Sequence, residues 1–128
     1  MKDIRLDIDV EGKTYTLAFT LNVMQAIQDN PKYGSVKKWG EMVEANTDGM
    51  DAAAVIFGFG EMLNEGIDIE NEDLPADQQK AFMTDRQVGR LITKMGLTGA
   101  AETINQMVVQ STKDPNPKNA SSTKTTTP

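Results

Sequence analysis

Hydrophobic and polar residues alternate at the start of the chain. Ile4, Leu6, Ile8 and Val10 are spaced by Arg5, Asp7 and Asp9, and after Gly12 the residues Tyr15, Leu17 and Phe19 alternate with Thr14, Thr16 and Ala18. Period two on both sides of a glycine predicts a β-hairpin. Pairing Val10 with Tyr15 sets Ile8 opposite Leu17 and Leu6 opposite Phe19, with all seven apolar side chains on one face. The remaining loop is Gly12-Lys13, glycine first, as a two-residue II′ turn requires. A lone hairpin is marginal in water, so this face is expected to pack on helices.

Beyond Thr20 the period lengthens. Asn22 with Gln25 offers a capping box for a first helix carrying Val23, Met24 and Ile27, stopped by Asn30-Pro31. Ser35 caps a second helix to about Asn46, with Val36, Trp39, Met42 and Val43 on one face. Asp48 caps a third, running to about Asn64 and stopped near Gly66. From Ala52 to Gly60 that helix is apolar all round, so it is either buried or covered by a partner. Gly58 and Gly60 lower its helix propensity, and close approach of another backbone would compensate. An acidic connector, Asp68 to Asp77, has room for a short helix started by Pro75. Thr84 and Gln87 form a second capping box, opening a helix with Val88, Leu91, Ile92 and Met95 that ends at Gly96. Thr98 caps the last, with Ala101, Ile104, Met107 and Val108, fading by Ser111. The expected fold is α+β: an N-terminal β-hairpin packed on a bundle of about five helices, mainly α.

From Thr112 to Pro128 the only apolar residue is Ala120. Such a segment buries too little surface to offset its ordering entropy, so a single domain over 1–111 and a disordered polar tail over 112–128 are expected. Of the formal charge of −6 on 128 residues, the tail holds +2, from Lys113, Lys118 and Lys124 against Asp114, which leaves −8 on the body. An acidic body argues against coating nucleic acid, which needs lysine and arginine to replace counterions. The first nine residues lack the apolar core of a signal peptide, and no apolar run approaches the length of a membrane span, so a cytoplasmic protein is expected.

The chain has no Cys and no His. That removes disulfides, thiolate nucleophiles, imidazole ligands and every relay built on histidine. The remaining motifs fail on inspection. Asp68, Glu70 and Glu72 alternate like a calcium loop, but the sixth position is Asp73 where glycine is needed and the twelfth is Gln79 where a bidentate glutamate is needed. Gly58-Phe59-Gly60 begins like a dinucleotide fingerprint, yet it lacks the third glycine and follows no strand. Nothing places two carboxylates in one apolar cleft; Glu41 and Glu44 read as solvated partners of Lys37 and Lys38. No catalytic residue, cofactor or metal is expected, and no enzyme. Trp39 reads as the core anchor of the second helix, with an interface hot spot as its other reading. Met24, Met42, Met62, Met83, Met95 and Met107 fall on or beside helical faces, where they either fill the core or offer a soft surface to an irregular apolar partner.

Several segments in order carry a resemblance. They are the hairpin Ile4–Phe19 built round Glu11-Gly12-Lys13, then Asn22-Val23-Met24-Gln25-Ala26-Ile27-Gln28, and the Ala/Phe/Gly helix ending Glu61-Met62-Leu63-Asn64-Glu65-Gly66. The acidic connector, Thr84-Asp85-Arg86-Gln87-Val88-Gly89-Arg90-Leu91-Ile92, a short final helix and a polar tail follow. Together they resemble the tail assembly chaperones of long, flexible-tailed (siphovirus-type) phages and prophages, over most of 1–111. The resemblance implies a small protein of the host cytoplasm, absent from the mature virion. It would bind and solubilise the apolar, helical tape measure protein and help tail tube subunits assemble around it. Members of the family often make a second, longer product by ribosomal frameshifting near the end of the short form; whether this chain has one is left open by its sequence. The mechanism would be apolar shielding without chemistry, with a homo-oligomer possible and neither nucleic acid nor membrane as a partner. Val55, Phe59 and Met62 on the third helix and Ile104, Met107 and Val108 on the last are the candidate partner-binding residues; the alternative is that they fill the core. Two other classes remain open: a structural virion component such as a tail tube or connector subunit, pairing through the hairpin edge, and a weakly acting enzyme or small adaptor protein unrelated to phage.

Overall fold

The computed structural model describes residues 4–44 and 51–112. The chain opens with an antiparallel hairpin, β1 (Ile4–Val10) and β2 (Lys13–Phe19), and continues through α1 (Leu21–Asp29), α2 (Val36–Glu44), α3 (Ala52–Asn71), a single 3-10 turn (Ala76–Gln78), α4 (Asp85–Met95) and α5 (Leu97–Thr112). This is the expected α+β arrangement of one hairpin on five helices. The expected polar tail from Lys113 onward lies outside the described residues. Among the described residues no helix is long and apolar enough to cross a membrane.

The hairpin forms with the expected faces but a different register. Val10 pairs with Lys13, Ile8 with Tyr15, Leu6 with Leu17 and Ile4 with Phe19. The turn is Glu11-Gly12, with φ of +51° and +84°, the pattern of a type I′ turn and not the expected II′ turn at Gly12-Lys13. Shifting a strand by two residues leaves every side chain on its original face, so alternation alone does not separate the two registers. The polar face does: Thr14 Oγ1 donates to Asp9 at 2.6 Å and Thr16 Oγ1 to Asp7 at 2.7 Å, each across its own cross-strand pair. The I′ twist suits the strands and outweighs the cost of holding Glu11 in the left-handed region.

Helix boundaries follow what the tertiary structure offers each cap. α1 begins one residue after β2 ends, capped by Thr20, whose Oγ1 accepts the Asn22 N–H at 3.2 Å. Asn22, the expected cap, instead donates from its side chain to Glu65 on α3 at 3.2 Å, beside the Thr20 hydroxyl donating to the same oxygen at 2.6 Å. Ser35 caps α2 as expected, accepting the Lys38 N–H at 3.1 Å; the expected extension to Asn46 lies outside the described residues. α3 is capped by Asp51 and not by Asp48, which also lies outside them; Asp51 Oδ1 accepts the Ala54 N–H at 3.1 Å. Both halves of the Thr84–Gln87 capping box are present. Gly96, at φ +93°, turns the chain into α5, and its carbonyl accepts the Ala100 N–H at 3.1 Å, so α5 starts at Leu97 ahead of the expected cap Thr98.

α3 is the axis of the molecule. Its 20 residues extend about 30 Å, and it packs on β2 and on each of the other four α-helices. The apolar girth read from the sequence is thereby buried. Three glycines along α3 admit its neighbours. A Cβ at Gly58 would come within 2.0 Å of the Trp39 ring, one at Gly60 within 3.3 Å of Val88, and one at Gly66 within 2.2 Å of the Thr16 carbonyl oxygen. The close backbone approach expected at Gly58 and Gly60 is thus found at Gly66, where the helix was expected to stop but continues for another five residues to Asn71. A glycine inside a helix costs only about 1 kcal/mol, and here it lets the strand lie against the helix.

Trp39 takes the core reading. It is fully buried, and its Nε1 donates to the Ala54 carbonyl at 3.0 Å. Met62 and Met107 are buried, and Met24, Met42, Met83 and Met95 pack on the same core, so the described methionines fill it.

Two stability tests follow. Glu11→Asn keeps the turn but suits the left-handed region, and should stabilise the fold by about 0.5–1 kcal/mol in chemical denaturation; a loss would exclude the I′ turn. Gly58→Ala drives a methyl into the Trp39 ring and should cost about 3 kcal/mol. Combined with Trp39→Leu, its cost should shrink by about 1 kcal/mol or more, since the two groups contact each other directly.

Candidate functional site

Apolar surface that the core does not use is the first mark of a partner site. Leu21, Phe82, Leu97 and Val109 are large apolar residues with substantial exposure; Val109, at 54%, sits beside a groove between α2 and α5. The groove encloses about 530 Å³ and is lined by Val36, Trp39, Gly40 and Val43 from α2 and by Ile104, Val108 and Val109 from α5, with Lys37, Glu41, Glu44 and Asn105 at its margins.

The helices build it by simple periodicity. On α2, Val36, Trp39 and Val43 fall at i, i+3 and i+7, and on α5 Ile104 and Val108 fall at i and i+4. Trp39 and Ile104 are buried and form the floor, while Val108 is partly buried and Val109 stands at the wall. Gly40 has nothing within 4 Å of the place its Cβ would occupy. It leaves a notch in the α2 wall that no side chain of the described fold fills. Glu41 and Glu44, expected as partners of Lys37 and Lys38, form no ion pair with them; Lys37, Glu41 and Glu44 line the groove.

The six candidate residues separate here. Val55, Phe59 and Met62 are fully buried on α3 and Met107 is buried on α5, where all four serve the core. Ile104 and Val108 line the groove. Gly40 and Val109 escaped the sequence reading. The doubled valine Val108-Val109 is a usable signal, because it widens the apolar stripe of α5 beyond what one contact face requires.

The chemistry available is that of contact. The groove offers apolar area and a few margin charges. Among the described residues, no group of three or more carboxylates could hold a metal ion. Glu61 on α3 is the one described carboxylate held above its ordinary value of 4.5, by burial first and then by the negative charges of Asp85 and Glu65. It lies outside this groove. The Tyr33 phenol is also raised, through burial and then Asp51; its ring is buried 5.6 Å from that of Phe57.

No family model matches the chain, and no curated protein or solved structure matches it significantly.

The raised Glu61 gives a pH test with a definite sign. The folded state holds its proton to higher pH than the unfolded chain does, so Glu61 costs stability at neutral pH and ceases to do so as pH falls through its folded value. Glu61→Gln should therefore be more stable than the wild type at pH 7, and the gap should close as pH approaches 4.5. Denaturation curves recorded across that range test it; a gap independent of pH would assign the effect to something other than the carboxylate's charge.

Proposed function

We propose that the protein is a tail assembly chaperone of a long flexible-tailed phage or prophage. It holds the tape measure protein in solution in the host cytoplasm while tail tube subunits assemble around it, and it leaves before the virion is mature. The observation that carries this reading is the α2–α5 groove, an apolar channel with a notch at Gly40 and an exposed valine at its wall, built into a body with a net charge of −8. A long amphipathic helix presents the complementary shape, a stripe of apolar side chains that enters a groove as anchors.

The work is reversible burial. Apolar area leaves water at about 25 cal/mol per Å², enough to shield a segment and weak enough to release it when tube subunits compete. The acidic body keeps the complex from aggregating through like-charge repulsion. No chemical step is required, which suits a chain with neither Cys nor His. Among the described residues the only sheet is two-stranded, which supports this reading over a tail tube subunit, whose edge-to-edge pairing calls for more strand.

Gly40→Leu tests the proposal without damaging the fold. A side chain there meets open space, and replacing a helical glycine should add up to about 1 kcal/mol of stability. Co-expressed with the tape measure protein encoded beside it, the wild type should raise that protein's soluble fraction and co-purify with it. Gly40→Leu should melt no lower than the wild type yet lose most of this effect. No gain in solubility and no co-purification with the wild type would overturn the chaperone reading; full retention in Gly40→Leu would move the site elsewhere.

A further inference from the structure

A second surface shares no residue with that groove. Between the 3-10 turn and α4, residues 79–84 belong to neither helix nor strand, and the backbone is extended at both ends, at Gln79 and Thr84. Two asparagines on α3, seven residues apart and so on one face, clamp this segment. Asn71 accepts the Lys80 N–H at 2.8 Å and donates to the Lys80 carbonyl at 3.0 Å. Asn64 accepts the Met83 N–H at 2.8 Å and donates to the Met83 carbonyl at 3.0 Å. Each amide thus pairs with both backbone groups of one residue, as a neighbouring strand would. Between the clamps, the main chains of Ala81 and Phe82 have no hydrogen-bond partner among the described residues. Phe82 is 56% exposed, although the backbone carrying it is pinned on either side.

Beside Phe82 lies a cleft of about 360 Å³ that three cations line, Lys13 from β2 and Arg90 and Lys94 from α4, and no carboxylate. Lys13 Nζ stands 5.5 Å from the Tyr15 ring centre. Arg90 and Lys94 are four residues apart on one helix face, where like charges repel. Arg90 has no ion pair among the described residues, and the one that Lys94 makes, with Glu11, is long at 3.8 Å and exposed on both sides. In a body of net charge −8 this is a local concentration of positive charge, of which Lys94 meets the C-terminal end of α4 and Glu11 while Arg90 has no ion pair among the described residues.

We propose that this cleft and the clamped segment form a docking site for an acidic, extended peptide segment of a partner protein. The free backbone of Ala81 and Phe82 takes the peptide main chain by strand addition. Arg90, Lys94 and Lys13 take its carboxylates, and Phe82 and Tyr15 take an apolar side chain between them. Preorganisation by Asn64 and Asn71 lowers the ordering cost of binding. A polypeptide fits better than nucleic acid, because the cationic area is confined to one cleft and the acidic body around it repels a long polyanion. This site does not rest on the chaperone reading, and its partner is separate from whatever fills the α2–α5 groove.

The probe is a fluorescein-labelled peptide of alternating glutamate and leucine, titrated with the full chain at low salt and followed by anisotropy. Controls are the same peptide with lysine for glutamate and a labelled oligo-dT. The wild type should bind the glutamate peptide and not the lysine one. Arg90→Glu with Lys94→Glu should weaken binding about tenfold or more, and Phe82→Ala about tenfold. All three side chains are exposed, so the melting temperatures of these variants, followed by circular dichroism, should stay within a few degrees of wild type. The proposal is overturned if the glutamate peptide does not bind, if the variants bind it as well as the wild type does, or if oligo-dT binds more tightly.

Discussion

The architecture turns on one contact, the Trp39 indole seated against Gly58. A ring of that size comes this close to a helix only where the helix lacks a side chain, and any Cβ at position 58 would sit 2.0 Å from a ring carbon. The indole N–H is then within 3.0 Å of the Ala54 carbonyl, one turn back along α3, so the polar atom carried into the core is satisfied. Together these fix both the distance and the rotation of α2 on α3. Val36 and Val43 on the same helix line the groove that α2 forms with α5.

Gly58 is one of three such points. Gly60 admits Val88 of α4, and Gly66 admits the main chain of β2 at Thr16. Each glycine lowers the intrinsic stability of α3, and each brings a different neighbour close enough to bury the apolar girth of that helix. Polar side chains on α3 do comparable work where it faces irregular structure. Glu65 receives the hydroxyl of Thr20 and the amide of Asn22 at the start of α1, while Asn64 and Asn71 hold the segment before α4. One helix therefore positions the hairpin, four helices and a loop.

Much of this was legible from local pattern, and the failures share a cause. The hairpin faces, the Thr84–Gln87 capping box, the Ser35 cap and the burial of the third helix all follow from residues close in sequence. The hairpin register was not legible, because alternation is unchanged by a shift of two and both turns place glycine at φ > 0. Asn22 scores as a cap on spacing alone, but Glu65, forty-three residues away, takes its side chain. Gly66 looks like a helix stop until Thr16 is brought beside it. Among the site residues, Ile104 and Val108 could be read from the stripe on α5. The notch at Gly40 could not, since an absent side chain becomes a feature only once α5 stands across from it.

Gly40 and Phe82 are informative because neither serves the fold. Helix α2 would be better formed with alanine at position 40, where there is room for it. Phe82 leaves more than half its surface in water on a backbone that is firmly held. Arg90 likewise stands one turn from Lys94 on α4 with no ion pair of its own among the described residues. A residue that costs stability where it stands, with no strain or cavity that it relieves, is a sign of contacts made outside the chain. The two surfaces so marked differ in chemistry, one apolar and one cationic with aromatic sides, and they share no residue. They are therefore suited to two different segments at once. Both rest on α3, which carries α2 and α5 on the one hand and the segment before α4 on the other.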